Sequence, residues 1–409
     1  MESINKTPKS IRLCGRDKKN DFILEGKKAY FGTGMGTTHV YDLYTGKYRE
    51  SKKRDIENAA KLSDALPNID YSATLFSAFD KPSKVIGLHQ IDALMRNTTK
   101  HCCTYCWHGK DLTKKEIKIA ELIAGGEEEL RRRPLVTLYA EPSSPLVYGK
   151  EYIESLIEWS KAGLPVIWYP APLLGGTAPM TLAGNIVQGW AECLGGNVIV
   201  QLSNPGSPFI GGTALSGLDM RTTSVVYSSP ESWLIEVATA QMAHFYQIPM
   251  FGLGGASDSK ILDTQAMIEA GLTLAYGALS GQNLIHDLGF MGSGFIGSLE
   301  LLAICDELVA MLKRTMKGIK VNDDTLALEA IMEAGYGGDF LKLKHTRRYF
   351  GELVIPELID KSMYNRWKEK SGKTLEQRAH DKVKKMLEEH KVELIPGDLR
   401  KEIDKIIKA

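Results

Sequence analysis

The sequence is poor in cysteine, has almost no net charge and contains no long apolar run. Only six of its 409 residues are cysteine, too few for a disulfide framework, so we expect reduced thiols. With 51 Lys and Arg against 50 Asp and Glu, no long-range field favours nucleic acid or a membrane surface as partner. No run approaches the roughly 20 apolar residues of a membrane helix, and no signal segment is evident. These absences predict a cytoplasmic protein that recognises its partners locally.

Two segments look like ligand-binding motifs but lack the required spacing. "GTGMG" (32–36) is not GxGxxG and is not flanked by a strand and a helix in the order of a nucleotide loop. We interpret it as a mobile aromatic loop. In "HCCTYCWH" (101–108), Cys102 and Cys106 would point to one face of a strand and Cys103 to the other. Since no compact tetrahedral set forms, we predict no metal site here.

Short apolar runs alternate with segments of helical period from residue 70 onward, which is typical of repeated βα units. Eight such strands favour an α/β fold of the (β/α)8 barrel type, with a doubly wound open sheet as the alternative. The sixth is short and follows a long loop. The predicted strands cover residues 71–76, 100–107, 134–141, 165–170, 208–212, 224–227, 249–253 and 283–287.

The chain divides into three predicted parts. Residues 1–69 form a cap, because 27–50 alternate aromatic and turn residues as a β-hairpin or small sheet does. Residues 70–340 form the barrel. Residues 341–409 are highly charged with apolar residues at helical spacing, which predicts a solvated helical extension that serves contacts between subunits.

In such a barrel, the active site lies where the strands end, so residues that close a strand or open the next loop are the candidates. The set is rich in aromatics and glycines and holds no evident nucleophile with a paired base. It comprises Trp107, His108, Glu141, Tyr169, Gly211, Gly212, Tyr227, the loop 252–260, His286 and Asp287. Tyr169, Tyr227, Trp107 and Phe251 are candidate walls for a cation, which aromatic faces attract.

The loop "GLGGASDSK" (252–260) follows the seventh strand and precedes a helix. Ser257 or Asp258 is the predicted N-cap of that helix. Backbone N–H groups at Gly254 and Gly255 would suit a phosphate or carboxylate. A phosphate-binding aldolase or isomerase barrel is therefore a competing hypothesis, with Glu141 as its catalytic candidate.

Several segments together resemble the trimethylamine methyltransferase superfamily. They are "WAECLGGNVIVQLSNPGSPFIGG" (190–212), "DMRT" (219–222), "SSPE" (228–231), "GGASDSKILDTQ" (254–265) and "LSGQNLIHDLGFMGSG" (279–294). The resemblance implies a (β/α)8 barrel that moves a methyl group from a methylamine or betaine to the Co(I) corrinoid of a separate protein. This chain shows no pyrrolysine, so it looks like the branch that demethylates quaternary amines such as glycine betaine, proline betaine or carnitine.

The resemblance also implies roles for residues of the predicted pocket. His286 would donate to a betaine carboxylate, with Asp287 orienting its ring and Asn283, Gln265 and Asp258 as secondary candidates. No catalytic residue is assigned. The corrinoid would arrive with its protein, so no cofactor bound tightly by this chain is expected, and no DxHxxG motif is present. We expect a homo-oligomer; a non-catalytic quaternary-amine-binding protein is the further alternative.

Overall fold

Eight parallel strands form the centre of the molecule. The computed structural model describes residues 1–105, 109–214 and 217–408. Sixteen strands in these ranges are β1 Ile11–Leu13, β2 Phe22–Leu24, β3 Tyr30–Thr33, β4 His39–Tyr41, β5 Tyr48–Glu50, β6 Tyr71–Ala73, β7 His101–Tyr105, β8 Val136–Ala140, β9 Val166–Trp168, β10 Phe209–Ile210, β11 Gly217–Asp219, β12 Ser224–Val226, β13 Phe251–Leu253, β14 Leu284–Leu288, β15 Phe290–Met291 and β16 Ile296–Gly297. The order β10-β9-β8-β7-β6-β3-β14-β13 makes the main sheet, and a parallel bridge between Gly211 and Met250 joins its two ends.

Helices surround this sheet. Those in the described ranges are α1 Glu2–Lys6, α2 Lys53–Ala65, α3 Ile86–Arg96, α4 Gly109–Ala124, α5 Glu127–Arg132, α6 Lys150–Lys161, α7 Leu182–Ser203, α8 Pro230–Tyr246, α9 Thr264–Ser280, α10 Leu299–Met316, α11 Asp323–Leu326, α12 Leu328–Ala334, α13 Lys344–Tyr349, α14 Tyr364–Glu369, α15 Leu375–Glu389 and α16 Gly397–Lys408, with 3₁₀ turns at Lys18–Asn20, Ser83–Val85, Gly292–Gly294 and Phe350–Glu352. The predicted (β/α)8 barrel is confirmed, and the bridged ends of the sheet exclude the open alternative.

One predicted barrel strand was wrong. Residues 224–227 were expected to form the sixth strand, but β12 pairs antiparallel with β11 in a separate, partly exposed hairpin. The missing barrel strand is β3, which lies between β6 and β14.

The composition of β3 explains why it resembled a turn. Its sequence YFGT contains a glycine because a side chain at Gly32 would overlap the ring of Tyr71 on the neighbouring strand. Thr33 Oγ1 then donates to the carbonyl of Ala73 at 2.9 Å. Packing between neighbouring strands therefore requires a glycine in β3, although glycine has a low strand propensity and its presence predicts a loop.

The interior of the barrel is closed at one end and capped in part at the other. The β1–β2 hairpin places Leu13, Phe22 and Leu24 in one apolar cluster with inward residues of the barrel strands. At the carboxyl ends of the strands, β4 follows β3 and β15 follows β14, and together with β5 and β16 they form a four-stranded sheet. The β11–β12 hairpin follows β10 on the same side. These insertions leave a mouth between them.

The charged C-terminal region is helical, as predicted, and its last two helices pack on the barrel. Val383 of α15 is buried in the cluster of β3 and α10, and Ile403 of α16 is buried against α4. Their polar faces are solvated, but the apolar spacing serves packing within the chain. None of the described helices combines the length and apolarity needed to cross a membrane.

Candidate functional site

A cavity of about 170 Å³ lies at the carboxyl ends of the barrel strands. Several of its lining residues are partly exposed, so it opens at the mouth. The lining is Met35, Gly36, Tyr105, Tyr139, Glu141, Ala171, Ala214, Tyr227, His286, Asp287 and Phe290. Seven segments of the chain contribute, and four of these side chains were predicted from the sequence.

Glu141 is held at this cavity by two phenols. Tyr105 Oη donates to Oε1 at 3.1 Å, and Tyr139 Oη donates to Oε2 at 2.9 Å. The two rings stack with their centroids 5.1 Å apart. Burial raises the pKa of Glu141 above its ordinary value, although both hydroxyl bonds oppose the shift. Among the described residues, no Lys or Arg pairs with this carboxyl group.

His286 and Asp287 form a buried pair beside Glu141. His286 Nδ1 lies 2.7 Å from the carbonyl oxygen of Gly252, so this nitrogen carries the proton and donates it. Nε2 faces Asp287 Oδ1 at 3.3 Å. Burial lowers the pKa of His286 to about 3 and raises that of Asp287 well above its ordinary value. Both directions favour a neutral pair, in which the carboxylic acid of Asp287 donates to Nε2.

The backbone at Asp287 is in a conformation that non-glycine residues rarely adopt. Its φ is 79°, inside β14, where the register with β3 shifts between Ile285 and Leu288. A left-handed residue in a bulge costs about 1–3 kcal/mol, with Asp at the lower end because it tolerates this region. Bulges redirect side chains. The irregularity brings the carboxyl group of Asp287 to the cavity.

Aromatic rings surround the pair. Phe251 stacks on His286 with centroids 4.0 Å apart, and Tyr169 meets the same ring edge to face at 5.4 Å. Both lie beneath the lining rather than in it. Tyr227 reaches the cavity itself and contacts Phe290 edge to face at 5.6 Å. The ring of Tyr227 therefore lines the cavity, where its cation-binding role stays a prediction, whereas the rings of Tyr169 and Phe251 pack against His286.

The glycine-rich loop after β13 is tied into the protein. Gly254 N donates to His286 O at 3.0 Å, and Gly255 N donates to Thr273 Oγ1 at 3.0 Å. Asp258 accepts from the backbone N–H groups of Tyr227 and Ser228 at 3.1 and 2.9 Å, which holds Tyr227 in position. The loop therefore shapes the mouth through its hydrogen bonds.

The predicted N-cap at Ser257 or Asp258 was wrong, because α9 begins later. Its N-cap is Asp263, whose side chain accepts from Ala266 N. Ser257 instead donates to Glu269 at 2.7 Å. Seven loop residues, 256–262, thus separate the glycine pair from the N-cap.

The remaining candidates lie elsewhere. Asn283 joins Met250, Gly26 and Lys28 at the opposite end of the barrel, and Gln265 bonds Glu269 on the surface of α9. Gly211 and Gly212 form the seam between β10 and β13. Trp107 and His108 lie outside the described residues.

Sequence reasoning missed Met35, Tyr105, Tyr139, Phe290 and the buried Glu236. Tyr105 ends its strand and Tyr139 precedes Glu141 by two positions, so strand alternation alone could have placed both at the site. Glu236 on α8 accepts from Gln282 Nε2 at 3.0 Å, and burial raises its pKa to about 8. It lies near enough to Asp287 for their charges to interact.

The described cysteines and a second cleft are weaker candidates for a functional site than the cavity at the barrel mouth. Cys102 and Cys103 are buried in different apolar clusters, as their alternation predicted, and Cys106 lies outside the described residues. No group of metal ligands occurs in the ranges the structure describes. A wider cleft of about 980 Å³ lies between the β4–β5 hairpin and α15. Two contacts there are already formed within the chain, a hydrogen bond between His380 and Glu300 at 3.0 Å and an ion pair between Lys373 and Asp381 at 2.6 Å.

Comparison with known proteins identifies the relationship. The model of the trimethylamine methyltransferase (MTTB) family matches residues 1–409. Trimethylamine methyltransferase MttB of Desulfitobacterium hafniense (strain DSM 10664 / DCB-2) is 33% identical over 99% of this chain and 82% of its own length. Glycine betaine methyltransferase of D. hafniense (strain Y51) is 32% identical over 99% of this chain and 84% of its own length. The monomethylamine methyltransferase MtmB of Methanosarcina barkeri shares the fold, with a TM-score of 0.52 and 13% identity over 96% of this chain and 80% of that one.

The barrel and these relatives define the class: the chain is a (β/α)8 methyltransferase. It belongs to the trimethylamine methyltransferase (MTTB) family, as the resemblance of its motifs predicted.

Proposed function

We propose that this methyltransferase takes a methyl group from a quaternary amine bound in the barrel cavity and passes it to the Co(I) corrinoid of a separate protein. The main support for this proposal is the lining of the cavity, which has aromatic walls and two carboxyl groups, Glu141 and Asp287. Its described part contains no Lys or Arg. Such a lining suits a cation with methyl groups. Two relatives are named for methylated amines, trimethylamine and glycine betaine, and the second of these is a quaternary amine.

The chemistry needs little from the side chains beyond binding and orientation. The nucleophile forms a bond to the methyl carbon while the nitrogen–carbon bond breaks. The electron pair of the broken bond stays on nitrogen. The leaving group is a neutral tertiary amine, so no proton donor is required. Because positive charge leaves nitrogen in this step, a cage that binds the cation too tightly would stabilise the ground state. Glu141, Tyr227 and Asp287 are therefore assigned to hold one methyl group toward the mouth.

The acceptor is assigned to the partner protein rather than to this chain. When the partner protein docks over the barrel mouth, its reduced corrinoid would supply the nucleophile. The partly exposed residues there, such as Met35, Tyr105 and Tyr227, support an approach from this side. The identity of the substrate stays a prediction, and so does self-association of the protein. Self-association is supported by exposed apolar side chains between α10 and α14, including Ile319, Met332 and Leu341.

Methyl transfer to a corrinoid protein tests the proposal. The purified protein is mixed with a small corrinoid protein reduced to Co(I), and corrinoid methylation is followed by visible absorbance. The amines are tetramethylammonium, choline, glycine betaine and trimethylamine. We expect methylation with at least one quaternary amine and none with trimethylamine.

Methyl iodide serves as the control, because it methylates a competent acceptor without enzyme. If the acceptor responds to methyl iodide but to no quaternary amine in the presence of the protein, the proposed function is contradicted.

A further inference from the structure

Most side-chain donors in the described lining of the cavity are already hydrogen-bonded to acceptors of the protein. The hydroxyl groups of Tyr105 and Tyr139 donate to Glu141, and His286 Nδ1 donates to Gly252 O. Within the described lining, this leaves the Tyr227 hydroxyl as the side-chain donor without a protein acceptor. Of the described side chains in the lining, this one phenol would be available to replace the hydration of a carboxylate that entered the cavity.

The charges in the cavity also oppose a carboxylate. Glu141 and Asp287 are the ionisable acids of the lining, and its described residues include no Lys or Arg. The residues outside the described ranges, 106–108, 215–216 and 409, contain no Lys or Arg either. Once ionised, Glu141 would repel a substrate carboxylate strongly, because the effective dielectric constant of a partly dry site is low. Asp287, protonated in its pair with His286, would not become a counter-charge for such a group. A bound cation, in contrast, would supply the positive charge that both acids lack.

His286 is turned away from the role that the family resemblance implied for it. A donor to a substrate carboxylate would need a free N–H, but Nδ1–H is directed at Gly252 O and Nε2 at Asp287. With the ring neutral, Nε2 accepts rather than donates. The histidine therefore orients Asp287 and does not offer a hydrogen to a ligand.

Resting on the proposed function, we propose that the cavity selects a quaternary ammonium ion that carries no carboxylate, and that Glu141 determines this selectivity. Simple tetraalkylammonium or hydroxylated ammonium ions fit this class, and betaines do not. The two phenols fix both oxygens of Glu141, so the carboxylate needs no rearrangement to meet a cation.

Binding measurements on the whole protein separate this inference from the proposed function, since they need no corrinoid partner. Isothermal titration calorimetry would compare tetramethylammonium with glycine betaine. We expect at least about tenfold tighter binding of tetramethylammonium, because the betaine brings a carboxylate to Glu141 and Asp287. In Glu141→Gln this ratio should fall to within about threefold, because the amide removes the repulsion as well as the attraction. Glu128→Gln, an equal charge change on the surface of α5, is the matched control and should keep the ratio.

The pH dependence of binding provides a second readout. Glu141 faces the phenols of Tyr105 and Tyr139, with Tyr152 and Tyr227 near enough to interact, and the His286–Asp287 pair is the other ionisable unit of the cavity. The pKa of Glu141 is raised above 4.5 in the free protein, and a bound cation lowers it. Affinity for tetramethylammonium should therefore rise with pH, by up to about tenfold per unit below the raised value, and level off above it. Glu141→Gln should flatten the rise.

The outcomes separate the two levels of the proposal. Glycine betaine binding as tightly as tetramethylammonium, or an unchanged ratio in Glu141→Gln with the fold intact by circular dichroism, would overturn the inference and leave the methyltransferase proposal standing. Failure of every quaternary amine to bind would overturn both.

Discussion

Asp287→Asn is expected to lower kcat/KM for methyl transfer by about 10- to 150-fold while leaving the folded protein nearly as stable. The amide preserves the shape of the side chain and tolerates the left-handed backbone at φ 79°. A bound cation lowers the pKa of Asp287 and so favours its ionisation, whereas the amide cannot become negatively charged and the cation loses this counter-charge. Hydrogen bonds and contacts to charged groups in such sites are each worth about 1.5–3 kcal/mol, which gives the expected range.

The measurement combines initial rates of corrinoid methylation with thermal unfolding. Asp398→Asn, an exposed change at the start of α16, is the control and should leave both quantities unchanged. If Asp287→Asn keeps full kcat/KM, the carboxyl group is not required, and the strained backbone serves the fold alone. A large fall in the unfolding temperature would instead show that the His286–Asp287 pair is chiefly structural.

Strands were predictable from the sequence where every residue is buried, because such strands are continuous apolar runs. β8 and β9 are buried at every position, and their apolar runs VTLYA and VIW stand out in the sequence. β3 was missed because its glycine is required by the ring of Tyr71, which leaves no room for a side chain at Gly32. The two strands in contact are 38 or more positions apart along the chain. A local window cannot contain that information.

The candidate site was predictable to the extent that strand ends are visible. Glu141 and His286 follow directly from the rule that barrel sites form at the carboxyl ends of strands. Met35 was missed because the segment after β3 was interpreted as part of a cap. The orientation of Asp287 was beyond sequence reasoning, since its positive φ arises from a register shift between β14 and β3. The hydrogen bond from His286 Nδ1 to Gly252 O, which decides what His286 can donate, forms only in the folded protein and is not visible in the sequence.

Gly212→Ala is expected to reduce the free energy of unfolding by about 3–5 kcal/mol. Gly212 has φ 141° at the seam of the barrel, where β10 meets β13. An added Cβ would overlap the carbonyl oxygen of Phe251 and lie 2.9 Å from the ring of Tyr169. Backbone strain and overpacking each cost about 1–3 kcal/mol, and here neither contact partner is a flexible side-chain end.

Urea unfolding of the two proteins measures this cost, with Gly271→Ala as the control. Gly271 lies inside α9 with open space around its Cα, so alanine should preserve stability or add up to about 1 kcal/mol. The seam also connects to the site, because Phe251 stacks on His286. Any Gly212→Ala protein that folds should therefore bind tetramethylammonium more weakly as well. Wild-type stability in this variant would contradict the rigid seam, since the strand ends would then have room to move apart without loss.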